Sequence, residues 1–266
     1  MDQKEGLEAS VGVRLKIVLI TPAHNEEKVI EGCIESVKNL IVPEGVELEH
    51  VVVLDRCTDG TEEICRKHGV RTIRKDYRGS CVSPITEAFQ LGFEQTDGKI
   101  VGKIDADIRA PPDALVKLLE KLGGEVACVA ADVKTVSGKW WLDLLMRLRD
   151  LNYKIAPLGR EPRGALRLFY REVVEKIGGF DCDRPTFDTA LDLKLRAYGY
   201  KSILVPEVVA IEYRPDLTLA RIIKHQIMTG RARRRLGIGL LRTAVHSLFR
   251  LRPFVLLGYV LELLGC

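Results

Sequence analysis

Short apolar runs alternate with helix-patterned segments through the first half of this 266-residue chain, and that alternation constrains the fold more than any other feature. RLKIVLIT (14–21) reads as a strand, followed by a helical pattern over roughly 26–40. LEHVVVL (48–54) is the next strand, a helix is expected from Thr61 to His68, and VRTIR (70–74) is a short third strand. A helix across 84–95 leads to a strand at 99–104. PPDALVKLLEKLGG (111–124) opens on proline and stops on two glycines, the usual helix asymmetry, and VACVAA (126–131) is another strand. Strands separated by helices need crossover connections. The expected class is therefore α/β, a doubly wound and mostly parallel sheet flanked by helices.

In such a sheet, ligands sit beyond the carboxyl ends of the strands. Three loops at those ends are acidic or amide-rich: TPAHNEE after the first strand, DRCTDGT after the second and DADIR after the fourth. The last carries Asp105 and Asp107. With 16 Asp in the chain, about one Asp-x-Asp is expected by chance, and two occur. The other, Asp181/Asp183, follows GGF in a loop and ends no apolar strand, so it is set aside. Two carboxylates at i and i+2 repel unless something neutralises them. Mg²⁺ takes one or two carboxylates and fills its shell with substrate phosphates and water, so the pair reads as a platform for a metal-diphosphate. An isolated pair would read as a solvated turn; the strand context and the neighbouring loops reverse that. No GxxxxGK[ST] or GxGxxG follows any of these strands, which argues against a P-loop enzyme or a standard dinucleotide dehydrogenase.

Composition is ordinary globular, 46% hydrophobic and 29% charged. Seven scattered cysteines with no CxxC suit a reduced intracellular chain better than a disulfide framework or a zinc site. MDQKEGLEAS, at the start, lacks the apolar stretch of a signal peptide. Charge is lopsided. Residues 214–266 hold ten Lys/Arg against two acids, +8 of an overall +4, which leaves −4 for residues 1–213.

TPAHNEE (21–27), VVVLDRCTDGT (51–61), IDAD (104–107), IGGFD (177–181) and DLKLRAYGYK (192–201) resemble, in this order and spacing, family 2 glycosyltransferases, which have the GT-A fold. The resemblance covers about 15–215. It implies an inverting, Mg²⁺- or Mn²⁺-dependent transfer from a nucleotide-diphosphate sugar; the leading expectation puts this transfer at the cytoplasmic face of a membrane, with a lipid-linked acceptor among the candidates. By that resemblance, Pro22, Ala23, Asn25 and Glu26 line the nucleoside pocket, with Glu26 reaching the ribose. Asp55 accepts from the base, Asp59 shapes the same loop, and Arg78 lies near the donor phosphates. Asp107 binds the metal; Asp105 contacts the ribose and also counts as a metal ligand. Asn25, Glu26 and Asp59 also have plain readings as cap or turn residues.

The family's usual Glu-Asp pair falls on Thr189-Ala190, which cannot accept a proton. The candidate general base is then Asp188, with Asp192 one turn later. An Asp before a helical run is also a common N-cap, and a lipid-phosphate acceptor would need no base. At the position of the family's late metal-binding His stands VVAIEYRP, where Glu212 is the one candidate; neither it nor His225 is taken as a ligand. Gln226 and Arg231, in HQIMTGRARRR, match a region near the donor diphosphate.

The implied organisation is a flexible 1–13, a transferase domain at 14–215, and a basic amphipathic helical tail at 216–266. The tail's longest uncharged run, Pro253 to Leu261, is far short of the roughly 20 residues needed to span a bilayer. Arg among Leu and Phe suits helices lying in the membrane interface, or a helical pair packed on the domain. KWWLDLLMRLRDLNYKI (139–155) is a second amphipathic stretch whose Trp140 and Trp141 face an acceptor, a lipid surface or the core. A nucleotidyltransferase also uses paired Asp, but TPAHNEE lacks the glycine-rich basic loop it needs. A non-enzymatic module binding anionic lipid or nucleic acid through RARRR is permitted by the tail; an acidic remainder and 6% aromatics weigh against it, and no nucleic-acid partner is expected.

Overall fold

A computed structural model describes residues 14–155 and 164–265; the expected flexible segment 1–13 lies outside them. In chain order the first half runs β1 (Leu15–Ala23), α1 (Ile30–Lys38), β2 (Val46–Asp55), α2 (Thr61–Lys67), β3 (Arg71–Lys75), α3 (Pro84–Glu94), β4 (Ile100–Ile104), the two-residue β5 (Ile108–Arg109) and α4 (Ala114–Leu119). The second half runs β6 (Val126–Val136), α5 (Trp140–Ile155), β7 (Leu166–Tyr170), α6 (Arg171–Lys176), α7 (Phe187–Ala197), β8 (Lys201–Tyr213), α8 (Leu219–Arg235), α9 (Leu240–Phe249) and α10 (Pro253–Leu263). One sheet has the order β3-β2-β1-β4-β7-β6-β8-β5. Pairings are parallel for β3-β2, β2-β1, β1-β4 and β6-β8, and antiparallel around β7 and between β5 and β8.

Burial on both faces explains why the middle of β1, Ile17–Ile20, is an unbroken apolar run. Ile17 and Leu19 pack with Cys33, Val37, Leu115 and Leu118 on one side. Val18 and Ile20 pack with Ala88, Phe89 and Phe93 on the other. Successive strand residues point to opposite faces, so a doubly covered strand must be apolar at every position. Gly102, in the middle of β4, answers a close approach. A Cβ there would stand 2.6 Å from Leu168 Cδ2 and 2.9 Å from the Arg167 carbonyl oxygen.

Two expectations need correction. VACVAA is only the first half of β6, because the half-exposed continuation to Val136 pairs with β8 and hides the strand period. The cysteines are not all reduced: Cys81 and Cys182 form a disulfide, while Cys33, Cys57, Cys65 and Cys128 are free. The two partners are 101 residues apart, joining the loop before α3 to the loop before α7, so no spacing motif marks them.

Gly102→Val should cost about 1–3 kcal/mol by overpacking, read as a lower urea midpoint. A pH effect is also expected at β2. His50 bonds Thr21 Oγ1 at 2.9 Å, and burial lowers its pKa from about 6.5 to about 4. Its contribution to stability is then present above pH 6.5 and lost as the pH falls toward 4, because the unfolded chain takes up the proton first. His50→Gln should flatten the loss of melting temperature between those pH values.

Candidate active site

The carboxyl ends of β1, β2 and β4 open into one cleft of about 1770 Å³. β4 ends at Ile104, and Asp105 donates its backbone N–H to Ala165 O at 2.9 Å, which prolongs the pairing with β7. Two residues on, the Asp107 carbonyl accepts from Tyr213 N at 2.8 Å. That bond, with the Ile108–Glu212 pairing of β5 and β8, carries Glu212 and Arg214 to the aspartate pair. Arg214 donates from Nε to Asp107 Oδ2 at 2.9 Å and pairs through its second arm with Glu212 Oε1 at 2.7 Å. Lys103, buried on β4, bonds Asp105 Oδ1 and Gly164 O. Thr135 Oγ1 donates to Glu212 Oε2 at 2.6 Å.

Glu26, Asp105, Asp107 and Glu212 therefore crowd one place, with Arg214 and Lys103 among them. Burial is the main force raising Asp107 to about 7. Arg214 opposes it, and Glu212, Asp105 and Glu26 add to it. Burial also raises Asp105, against Lys103, and Glu26, against Arg214. This is a set of hard oxygen donors carrying more negative charge than its two cations offset, chemistry that suits Mg²⁺ or Mn²⁺.

The first two loops are bound to each other. Asn25, in the left-handed region at φ 57°, accepts on Oδ1 from Thr58 N at 2.8 Å. Glu26 N donates to Thr61 Oγ1 at 2.8 Å. Asp59 accepts from Glu27 N and from both the N and Oγ1 of Thr61. Burial works against its charge, and the Thr61 bonds hold its carboxyl below the usual range. Asp55 is 3% exposed and fully engaged: Arg56 binds it through two nitrogens at 2.9 Å, and Lys75 reaches Oδ1 at 3.0 Å.

Helix α7 begins after Thr186, so Asp188 sits in the first turn and does not cap the helix. Its Oδ1 accepts from Thr189 N at 2.9 Å, and it lies against Gly164, where a Cβ would stand 2.9 Å from the Asp188 Cβ. Asp192 is committed elsewhere: its two oxygens take both arms of Arg167, at 2.8 and 2.9 Å. Arg167 is fully buried in the centre of β7. The charge in mid-strand is what conceals LRLFY as a strand in the sequence.

Asn25, Glu26, Asp59, Asp105, Asp107, Asp188, Asp192 and Gln226 all line the cleft; Pro22, Ala23, Asp55, Arg78 and Arg231 lie outside its lining. Pro22 and Ala23 are the last residues of β1. Gln226 accepts from Phe254 N at 3.3 Å, tying α8 to α10. Trp140 and Trp141 are 79% and 42% exposed, and it is Leu145, Leu148 and Arg149 of the same helix that face the cleft. Lys103, Arg149 and Arg214 had no motif to mark them. Glu212 was singled out at the end of the last strand but not taken as a ligand; Arg214 could have been found from the same place.

Removing one partner of a buried ion pair leaves the other charge stranded. Asp192→Ala should destabilise by up to about 3–5 kcal/mol, and adding Arg167→Met should restore most of it, both measured by chemical denaturation.

Residues 18–178 match the family described as glycosyl transferase family 2. The chain is 25% identical over 215 residues to a dolichol-phosphate mannosyltransferase from Pyrococcus furiosus, covering 77% of this chain and 59% of that one. It is 28% identical over 174 residues to a bactoprenol glucosyl transferase of Shigella phage SfX, covering 61% and 55%. The chain thus spans between half and three-fifths of these curated relatives. Among solved structures, the mannosyltransferase PcManGT from Pyrobaculum calidifontis, in complex with GDP-Man and Mn²⁺, superposes with a TM-score of 0.65 at 23% identity, covering 95% of this chain and 75% of that one. Glucosyl-3-phosphoglycerate synthase from Mycobacterium tuberculosis superposes with a TM-score of 0.57 at 20% identity, covering 83% and 78%. Strand ends, acidic loops and overall architecture agree with these matches: the fold is GT-A, and the chain belongs to glycosyl transferase family 2.

Proposed function

We propose that this chain transfers a sugar, with inversion, from a nucleotide-diphosphate donor to an acceptor that is lipid-linked. One observation carries the reading: Glu26, Asp105, Asp107 and Glu212 gather at the strand ends in a cleft that Asp188 also lines. A divalent cation held by Asp107, with Asp105 and Glu212 beside it, would supply positive charge to the departing diphosphate. Arg214 adds a fixed positive charge on the same side. Glu26 and Asp59, on the interlocked first loops, are placed to meet the ribose.

Asp188 is the base. Its neighbour Asp192 is bound by Arg167, whereas Asp188 makes one local bond and faces the cleft. As the acceptor oxygen bonds to the anomeric carbon, Asp188 takes its proton, and the bond to the donor phosphate breaks with its electron pair going to the diphosphate. The cleft is larger than the 300–1,000 Å³ typical of a single small ligand, which suits two substrates side by side.

A lipid-linked acceptor is supported by the names of the relatives and by the surface. Trp140, Leu144 and Leu151 on α5, and Leu241 and Leu248 on α9, are each at least 50% exposed and lie outside the cleft lining. Among the described residues no helix is long and apolar enough to cross a membrane. Peripheral contact at a cytoplasmic membrane face, through these residues and the tail's arginines, follows the same physics.

With Mn²⁺ and a panel of UDP-, GDP- and dTDP-sugars, one donor should be consumed, and Asp107→Ala should abolish that consumption. Asp188→Asn should lower kcat by about 10²–10⁴ while donor binding, read by calorimetry, is retained. Nuclear magnetic resonance of the product should show an inverted anomeric centre. Full activity in Asp188→Asn would remove the assigned base.

A further inference from the structure

Two segments without regular structure meet beside the cleft, residues 76–83 ahead of α3 and residues 181–186 ahead of α7. Cys81 and Cys182 join them covalently, and Val82 N donates to Cys182 O at 2.8 Å. Ser83 of the first segment and Pro185 and Thr186 of the second line the cleft, as does Asp188 just beyond. The second segment is pinned at both ends by rings. Phe180, immediately before it, packs on Phe89, Phe93 and Phe169, with centroids 5.2, 5.3 and 5.9 Å apart. Phe187, immediately after it, packs on Phe89 at 4.9 Å, and Arg167 holds the next turn of α7 through Asp192. Within the segment, Lys194 Nζ donates to Asp181 Oδ1 at 2.6 Å. The bridge and the Val82 bond then tie its middle to the neighbouring segment.

We infer that the Cys81–Cys182 bridge is a redox control on sugar transfer: a dithiol reductant opens it, residues 181–186 loosen, and turnover falls while the fold and donor binding persist. The effect on turnover rests on the transferase reading; the loosening does not. Position argues for control of the site over support of the core. The ring cluster and the Arg167–Asp192 pair hold α3 and α7 without the bridge, so its loss is felt in the loop that borders Asp188. Asp105, Asp107 and the interlocked first loops belong to other elements and keep their bonds. Access argues the same way. Cys81 is 5% exposed, whereas Cys182 is half-buried, and exchange requires a thiolate to reach a sulfur. The reductant's thiolate attacks Cys182 Sγ, the S–S bond breaks with its electron pair going to Cys81, and that sulfur takes up a proton. The reductant's second thiol then displaces Cys182 as a thiol and closes a disulfide of its own. Two electrons and two protons have passed to the chain. Cys33, Cys65 and Cys128 are buried, and Cys57 Sγ donates to Ala23 O at 3.3 Å. Among the described residues no ready thiol therefore competes when an oxidant re-forms the bridge.

The test compares the oxidised full chain with the same chain reduced by dithiothreitol and freed of reductant under nitrogen. Amide hydrogen exchange should quicken in residues 76–83 and 181–186 and stay unchanged in α3 and α7. With Mn²⁺ and the donor that the sugar panel identifies, kcat should fall by about ten- to a hundredfold, the cost of a small misplacement beside the reacting atoms. Donor affinity, read by calorimetry, should be unchanged. Oxidation with glutathione disulfide should restore both the exchange and the rate. Cys182→Ser should match the reduced chain and ignore the reductant, while Cys65→Ala on α2 should respond as wild type. Undiminished kcat in the reduced chain or in Cys182→Ser overturns the inference, as does a bridge that dithiothreitol leaves intact. Faster exchange throughout the chain also overturns it, since the bridge would then support the whole fold. Should the oxidised chain consume no donor, the transferase reading fails and takes the claim on turnover with it, while the exchange data still decide the loosening.

Discussion

Carboxylates gathered at the end of a sheet repel, and this site holds together because cations from neighbouring strands stand among them. Lys103 comes from the same strand as Asp105, and Arg214 arrives from β8, more than a hundred residues later. The two-residue β5 matters out of proportion to its length. By pairing with β8 it sets Glu212 opposite Ile108 and Arg214 against Asp107. Without that register Asp107 would lose the cation that opposes its charge. Resident cations also leave the pair balanced short of neutrality, the condition under which a divalent ion adds stability instead of excess charge.

The sheet that carries this site depends on another buried charge. Arg167 sits fully enclosed in β7, between β4 and β6, and its two-armed contact with Asp192 of α7 helps make that placement tolerable. One pair therefore docks α7 on the sheet and fixes the turn in which Asp188 lies. The neighbouring carboxylates on α7 divide the work. Asp192 holds the helix to the sheet; Asp188, one turn earlier, remains turned to the cleft.

How much of this was legible follows from the range of the interactions. Burial of both faces leaves a local trace, so β1, β2 and β4 and the acidic loops at their ends could be read from apolar runs alone. Asp105 and Asp107 stood out for the same reason. Asp188 was found from a substitution pattern, since Thr189 and Ala190 occupy the place of the expected acids. Other features leave no local trace. Arg167 breaks the apolar period of its own strand, and Cys81 finds Cys182 across 101 residues. Asp55 shows the converse: its position at a strand end was legible, but not that Arg56 and Lys75 would take both its oxygens.

The sulfur bridge between Cys81 and Cys182 has a mechanical result. Val82 N also donates to Cys182 O at 2.8 Å, so the segments before α3 and α7 travel as one body. Ser83 on one segment and Pro185 on the other border the cleft. The bridge restrains that border against opening. Cutting the bridge would turn a rigid jamb into two independent flaps.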